Sequence, residues 1–288
     1  MNEYVIFTDS GCDISRPVLQ EWGVACVDLL VTFVGSTTLY KDTELDPKAF
    51  YERMRQGEMA KTSAINTETF RTAFEEHAKA GKDIIYLGFS SGLSTTFHCA
   101  QMALKELATQ YPSQTFIAED SLCASGGQGL LLYSLVKMKE AGATVEELSS
   151  FVQKRRLHLC HWFTVDDLEY LKRGGRVSPT VAFVGNLLGI KPVLHVDNEG
   201  HLINVSKVRG RKAAIKALAD KLGELGEDLK SSPVFISHGD CEADAQLLAD
   251  MVKERFGVSV DRIVDIGAVI GSHSGPGTLA IFFYGKER

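Results

Sequence analysis

The feature that most constrains the fold of this sequence is a regular alternation of short apolar runs with longer amphipathic segments. The run Asp83–Phe89 is typical of a buried strand. The segment after it repeats apolar residues at helical spacing, at Phe97, Ala100, Leu104 and Leu107. Because strands that alternate with helices usually form a parallel sheet with helical crossovers, we expect an α/β fold in the first half of the chain.

The same patterns predict the other elements of the first half. Further strands are expected at Tyr4–Thr8, Val24–Val34 and Thr115–Ala118. Further helices are expected from Pro47, behind an Asp46 cap, to about Arg55, then over Asn66–Ala80 and Gln128–Glu140, and from Thr144 to about His158. Thr144 and Glu147 have the spacing of a capping box.

The pattern changes near residue 160. Val193–Val196, the turn Asp197–Gly200 and His201–Val208 predict a β-hairpin, which needs no helical crossover. A helix from about Arg211, a strand at Val234–His238, a helix over Ala243–Phe256 and strands at Val260–Ile266 and Leu279–Tyr284 follow. We therefore predict an N-terminal, mostly parallel-sheet α/β domain (residues 1–160) packed against a C-terminal mixed α+β domain (residues 161–288).

Composition excludes several classes of protein. The formal charge is 31 − 37 = −6, which argues against a nucleic-acid-binding protein, since such proteins carry a basic face. No apolar run approaches the ~20 residues of a membrane span, and the first residues lack the pattern of a signal peptide. Six cysteines are scattered without a Cys-x-x-Cys pair, as expected of free thiols in a reducing compartment. We expect a cytoplasmic protein without a stable membrane span.

Three polar clusters stand where loops meet strands or helices: Thr62-Ser63, Ser90-Ser91-Gly92-Leu93-Ser94 and the segment from Ser272 through His273 to Gly277. In open α/β sheets, ligands bind at the carboxyl ends of strands. The Ser90–Ser94 loop joins a strand to a helix, where exposed N–H groups and the helix dipole favour an anion. Ser94 is equally suited to cap the helix.

The segment Gly88–Gly92 matches Gly-x-Ser-x-Gly, the nucleophile elbow of α/β-hydrolases. A serine hydrolase of acyl esters would then use Ser90 as nucleophile and His273 as base, with Asp240 or Asp265 as the acid. No oxyanion segment of the His-Gly-Gly type precedes the elbow. This function remains the alternative to a binding protein.

A basic turn, Arg173-Gly174-Gly175-Arg176, is followed later by Lys191 and Arg209. Such turns are able to bind phosphate or carboxylate groups through backbone N–H groups, or lie on the surface as solvated loops. The sequence contains neither a Walker A motif nor Gly-x-Gly-x-x-Gly after a strand, and no metal-ligand spacing. We expect no cofactor and no metal.

Taken together, the motifs resemble the DegV family, the fatty-acid-binding proteins that serve bacterial fatty acid kinase. The motifs are Thr8-Asp9-Ser10 with Asp13, Lys61-Thr62-Ser63, Ser90–Ser94, Arg173–Ser178, Ile190-Lys191-Pro192 and His273–Gly277. They span nearly the whole chain. Two segments differ from the family pattern: Thr95 stands where Gly is usual, and Ala64-Ile65 where Gln-Pro is usual. A Cβ at position 95 is expected to crowd a close approach to the backbone.

The resemblance implies a buried acyl chain whose carboxylate is held by Thr62, Ser94 and His273. Ser63, Ser90, Ser91 and Thr95 would be neighbours of the head group, and Arg176 and Arg209 would contact the anion or a partner. The stretch Val181–Val184 with Leu187, Leu188 and Ile190 would line a tunnel or belong to the core.

The implied function is that of a carrier without catalysis of its own. It would present the fatty acid to the catalytic subunit of fatty acid kinase, which makes the acyl phosphate with ATP, and contact membranes at most transiently. The sequence does not distinguish a fatty acid from another apolar acid such as an isoprenoid carboxylate.

Overall fold

The computed structural model describes residues 3–178 and 189–288. Its strands are β1 (Tyr4–Asp9), β2 (Val24–Val27), β3 (Leu30–Phe33), β4 (Tyr40–Lys41), β5 (Ala60–Ser63), β6 (Asp83–Gly88), β7 (Phe116–Asp120), β8 (Leu159–Thr164), β9 (Ile190–Val196), β10 (Leu202–Arg209), β11 (Val234–His238), β12 (Arg262–Asp265) and β13 (Leu279–Tyr284). Its α-helices are α1 (Arg16–Glu21), α2 (Pro47–Arg55), α3 (Thr67–Lys79), α4 (Thr96–Gln110), α5 (Gly126–Glu140), α6 (Val145–Arg155), α7 (Glu169–Arg173), α8 (Arg211–Leu225), α9 (Glu242–Phe256) and α10 (Ala268–Ser274).

The first sheet is parallel throughout, in the order β2-β1-β6-β7. Its central strands are buried on both faces, with Ile6, Ile84 and Ile85 inaccessible to solvent. Such strands are expected where helices cover both faces of a parallel sheet. The predicted α/β class is therefore confirmed for the first half of the chain.

After β2 the chain leaves the parallel sheet and forms a small antiparallel sheet in the order β4-β3-β5. The sequence predicts Val24–Val34 as one extended run, and this prediction is wrong, because β2 pairs with β1 whereas β3 pairs with β4 and β5. Thr62-Ser63 lies inside β5 rather than in a loop. We refer to β3, β4 and β5 as the small sheet.

The third sheet is mixed, in the order β10-β9-β8-β13-β11-β12, and only β11 and β12 pair in parallel. The β9–β10 hairpin is present as predicted, and the bounds of β11 and β13 match the prediction. The strand β8 and the helices α7 and α10 were not predicted. The predicted boundary between residues 160 and 161 falls inside β8, and the division into two domains remains a prediction.

Local helix signals act as the sequence indicates. The Asp46 side chain accepts a hydrogen bond from the N–H of Ala49 at 2.8 Å, and both capping-box bonds between Thr144 and Glu147 are present. The helix predicted to run to about His158 ends at Arg155, where a 3-10 turn (Arg156–His158) continues it. The amphipathic stripe of α4 is buried.

Helix α5 lies between the parallel and the mixed sheet and contacts strands of both. Helix α10, although late in the sequence, packs against α2, α7 and the small sheet of the first half. Of the stretch predicted to line a tunnel, Val181–Val184, Leu187 and Leu188 lie outside the described residues, and Ile190 opens β9. No helix in residues 3–178 and 189–288 has the length and apolar character that crossing a bilayer requires.

Candidate ligand-binding site

A cavity of about 910 Å³ lies between one face of the mixed sheet and the loops that precede α4 and follow α7. This volume is in the range of small-molecule sites. Its apolar wall includes Leu29, Val34, Phe89, Leu93, Phe163, Leu171, Val196, Leu202, Ile266, Val269, Ile270, Ala280 and Phe282. Its polar wall includes Thr62, Ser91, Ser94, Thr95, Ser125, Arg176, Ser272, His273, Ser274 and Thr278.

The sheet face of the cavity follows from strand register. Phe163 of β8 is paired with Ala280 of β13, and His161 of β8 with Phe282. On the other side, Val196 of β9 is paired with Leu202 of β10. Because side chains alternate along a strand, these residues share one face of the sheet and line the cavity together.

The polar wall is held together by contacts among three of its members. Thr62 Oγ1 lies 2.8 Å from Nε2 of His273, which is in the last turn of α10. Arg176 Nη2 donates to the carbonyl of Leu93 at 2.7 Å, directly before Ser94. Arg176 Nη1 donates to the carbonyl of Gly174, a residue that itself packs against Nδ1 of His273. The structure thus brings Thr62, Ser94 and His273 to the same part of the cavity.

The protonation state of His273 can be argued from its surroundings. Burial, with the positive charge of Arg176, lowers the pKa of His273 to about 4, so the ring is neutral at neutral pH. Nδ1 is buried and has no hydrogen-bond partner among the described residues. Because a buried N–H without an acceptor is costly, we place the ring proton on Nε2, which then donates to Thr62 Oγ1.

Ser94 and Thr95 form the junction between the Ser90–Ser94 loop and α4. Ser94 Oγ accepts from the N–H of Thr96 at 3.2 Å and lies 2.9 Å from Thr96 Oγ1, so it caps α4 and faces the cavity as well. Thr95 has ordinary right-handed backbone angles (φ −76°, ψ −4°) and an exposed side chain. A threonine therefore fits at the position where the family usually has glycine.

Charge on the cavity wall has one sign. Lys61, Arg173 and Arg176 line the cavity, and none of the described lining residues is an Asp or a Glu. Burial lowers the pKa of the Arg176 guanidinium, which nevertheless remains charged at neutral pH. In a chain whose formal charge is −6, this wall favours an anionic ligand.

Some predicted neighbours of the head group lie elsewhere. Ser91 and Thr95 line the cavity, but Ser63 does not. Ser90 is fully buried behind the wall. Arg209 is exposed at the end of the edge strand β10 and does not line the cavity, so it has no role there as an anion contact.

The geometry of the hydrolase alternative is absent. Ser90 Oγ donates to the carbonyl of Gly200 at 2.9 Å, and His273 is bonded to Thr62 instead. Asp240 pairs with Arg55, and Asp265 faces His238 at 3.6 Å. The prediction of Ser90 as a nucleophile is therefore wrong, because its hydroxyl fixes the β9–β10 turn against the loop.

Sequence reasoning missed one cationic group of the wall, Lys61, and the helical setting of His273. The strand β5 has a single small apolar residue in four, and α10 is a seven-residue helix with a glycine inside it. Neither has a strong periodic signal. Only the Gly-rich turn Arg173–Arg176 pointed to this wall, as a motif able to bind anions.

Comparison with known proteins identifies what the chain is similar to. Residues 3–286 match the sequence profile of the DegV family, whose description reads "Uncharacterised protein, DegV family". A DegV domain-containing protein of Clostridium perfringens is 42% identical over 290 residues, which cover 100% of this chain and 99% of that protein. The crystal structure of a DegV lipid-binding protein from Thermotoga maritima is 32% identical, with a TM-score of 0.85 and 99% of each chain covered. A stearic-acid-binding protein from Eubacterium ventriosum is 26% identical, with a TM-score of 0.88 and 98% of each chain covered.

Proposed function

The chain belongs to the DegV family, and we propose that it binds a long-chain fatty acid in the cavity, with the carboxylate at Thr62, Ser94 and His273. The observation that carries this proposal is the composition of the cavity wall. It joins a hydrogen-bonding cluster to a long apolar surface, and the charged groups among its described residues are all cationic. The fatty-acid-binding relatives support the same ligand.

The cluster has donors in the right state for a carboxylate. With Nε2 of His273 donating to Thr62 Oγ1, the Thr62 hydroxyl proton is free to be donated to the ligand. Ser94 is able to turn its hydroxyl from Thr96 to the second carboxylate oxygen, beside the N-terminus of α4. Arg176 adds a positive charge that is held on carbonyl groups rather than paired with a carboxylate.

The tail supplies most of the affinity. Burial of a methylene is worth about 0.8 kcal/mol, so ~14 methylenes contribute on the order of 11 kcal/mol before the cost of association. A hydrogen bond to a charged group contributes about 1.5–3 kcal/mol. The head-group residues therefore select the acid and orient it, whereas the apolar wall holds it.

We further propose that the protein presents the carboxylate to a separate kinase subunit, which converts the fatty acid to an acyl phosphate with ATP. The sequence has no phosphate-binding loop of the Walker type, so the phosphoryl donor would be bound by the partner. Arg209, exposed on an edge strand, is a candidate contact for that partner. A cytoplasmic carrier with transient membrane contact fits this role.

The binding part is tested by native mass spectrometry of the purified protein, followed by extraction of any bound lipid. We expect a stoichiometric fatty acid, and after delipidation a preference for palmitate over hexadecanol. Equal affinity for the acid and the alcohol would contradict the assigned head-group site. Covalent labelling of Ser90 by a fluorophosphonate would instead revive the hydrolase.

The kinase part is tested with a purified bacterial fatty acid kinase subunit, ATP and palmitate-loaded protein, with acyl phosphate trapped by hydroxylamine. We expect product that depends on both proteins. Ser94→Ala should reduce its formation, with a fall in the melting temperature no larger than the loss of one helix cap explains. Product formation without the DegV-family chain, or none with any kinase tested from its host, would contradict presentation but not binding.

A further inference from the structure

The helix that carries His273 is fastened at its other end by two carboxylates from the first half of the chain. Asp42 Oδ1 accepts from the backbone N–H of Val269 at 2.9 Å. Asp13 Oδ1 accepts from the N–H of Gly267, also at 2.9 Å. Val269 is in the first turn of α10 and Gly267 is its N-cap residue, so both carboxylates lie at the helix start, where negative charge is favoured by the helix dipole. Asp42 is almost inaccessible to solvent, at 4% exposure.

The fit around this end of α10 is close. The Tyr51 hydroxyl donates to the carbonyl of Ile266 at 3.0 Å. A Cβ on Gly271 would come within 2.5 Å of the Tyr51 oxygen, and a Cβ on Gly267 within 2.9 Å of Asp13 Oδ1. The helix therefore has little freedom to slide or rotate, and a small change at its start is transmitted to its last turn.

The small sheet contains Thr62, the partner of His273, and leads directly into Asp42, which anchors the helix of His273. Thr62 lies on β5, and Asp42 follows β4 directly, in the 3-10 turn Asp42–Glu44. The N–H of Asp42 donates to the carbonyl of Leu29 at 3.0 Å, which ties this turn to the residue before β3. The small sheet therefore holds Thr62 and Asp42 at a fixed distance from each other.

We propose that Asp42, assisted by Asp13, is a positioning residue of the carboxylate site: by anchoring the start of α10 to the small sheet, it sets His273 against Thr62. This inference rests on the proposed function, since it concerns the head-group end of the same cavity. It assigns the two aspartates a role in selecting an acidic ligand although neither lines the cavity.

The test measures the ratio of the affinities for palmitate and hexadecanol in purified, delipidated protein. Asp42→Ala should lower this ratio at least tenfold, because His273 and Thr62 lose their alignment while the apolar wall is unchanged. Asp42→Asn keeps an acceptor oxygen and should stay within threefold of the unchanged protein. Asp83→Ala is the matched control, since Asp83 is also buried and accepts from a backbone N–H, that of Thr115, but does not line the cavity.

A second comparison separates positioning from general stability. In a His273→Ala background, Asp42→Ala should have no further effect on the ratio, because the group that it positions is absent. A ratio that is unchanged in Asp42→Ala, or that falls equally in Asp83→Ala, would overturn the proposal. Failure of the unchanged protein to prefer the acid would instead refute the proposed head-group site.

Should Asp42→Ala not fold, hydrogen exchange on the unchanged protein provides the decision. Palmitate should slow exchange of the amides of Gly267 and Val269 at least fivefold, whereas hexadecanol, which lacks the carboxylate, should slow it much less. Equal protection by both ligands would show that the anchor is not coupled to the head group.

Discussion

The two walls of the cavity are built in different ways. The sheet side of the apolar wall is one face of the mixed sheet, where register alone places Phe163 beside Ala280 and His161 beside Phe282. The polar wall is assembled from six separate segments, namely β5, the loop before α4, the residue before α5, the turn after α7, α10 and the residue before β13. The sheet side therefore tolerates change as long as alternation is kept, whereas the polar wall depends on contacts between residues far apart in the chain.

The largest expected effect is on the apolar wall and needs no substitution. Shortening the ligand from palmitate to dodecanoate removes four methylenes, which corresponds to about 3 kcal/mol and a roughly two hundredfold loss of affinity. Titration calorimetry with the two acids measures it. Because the carboxylate is unchanged, a loss below tenfold would show that the tail is not buried along this wall.

Thr62→Val tests the polar wall at nearly constant volume. It removes the hydroxyl that donates to the ligand and leaves the N–H of His273 without its acceptor, so we expect palmitate affinity to fall by about 2 kcal/mol, roughly thirtyfold. Hexadecanol should lose less. Thr62→Ser keeps the hydroxyl and serves as the control, and equal losses in both variants would assign the effect to packing.

The difference between the walls also explains what the sequence predicted. The strands β11 and β13, the capping box of Thr144 and the stripe of α4 have local signals of apolar periodicity or cap chemistry, and these predictions are confirmed. The small sheet was not predicted, because β4 has two residues and β5 is largely polar. Strand β8 was missed since no turn residues separate it from α6.

Local sequence signals do not predict how the polar wall is assembled. Thr62 and His273 are 211 residues apart, and nothing in either segment indicates the 2.8 Å contact between them. The family resemblance assigned both residues to one site, whereas the motif Gly-x-Ser-x-Gly suggested a nucleophile at Ser90, whose hydroxyl donates to the carbonyl of Gly200 in the structure. The aspartates that anchor α10 have the sequence appearance of ordinary turn caps, and only the fold shows that Asp13 caps a helix 254 residues away.

The pH dependence of stability distinguishes the two ends of α10. The pKa of His273 is lowered to about 4, so its contribution is complete above the unfolded value of about 6.5 and is lost as the pH falls from there towards 4. Between pH 7 and pH 5 this loss is on the order of 2 kcal/mol. Burial raises the pKa of Asp42 to about 6, so its carboxyl favours folding at low pH and opposes it as the pH rises from about 4 through 6.

Asp28, Asp13 and the hydroxyl of Ser10 face Asp42. The charge of Asp28 raises the pKa of Asp42, the hydrogen bond from Ser10 lowers it, and Asp42 in turn raises the pKa of Asp13. Denaturant unfolding at pH 5 and pH 7 measures how each end of α10 contributes to the free energy of unfolding. His273→Asn should remove its own share of the loss on acidification, while buried His161 and His195, whose pKa values burial also lowers, keep the rest. Asp42→Asn should stabilise the protein at pH 7 relative to pH 5. Identical pH profiles for the two variants would contradict opposite titration at the two ends.

The smallest expected effect concerns Gly174, which packs against His273 of the polar wall. A Cβ at Gly174 would lie 2.1 Å from Nδ1 of His273, and its backbone (φ −72°) accepts any residue, so Gly174→Ala acts only through the imidazole. We expect palmitate affinity to fall by about 1.4 kcal/mol, or tenfold, with little effect on hexadecanol.

The neighbouring Gly175 is the matched control for Gly174. Its backbone is left-handed (φ +71°) and a Cβ there would meet nothing within 4 Å, so Gly175→Ala costs about 1 kcal/mol of stability without touching the ring. The two variants should therefore separate, one changing ligand selectivity and the other the melting temperature. If both changed selectivity equally, the turn Arg173–Arg176 would act as a whole, and the tight contact between Gly174 and His273 would not be what holds the imidazole against Thr62.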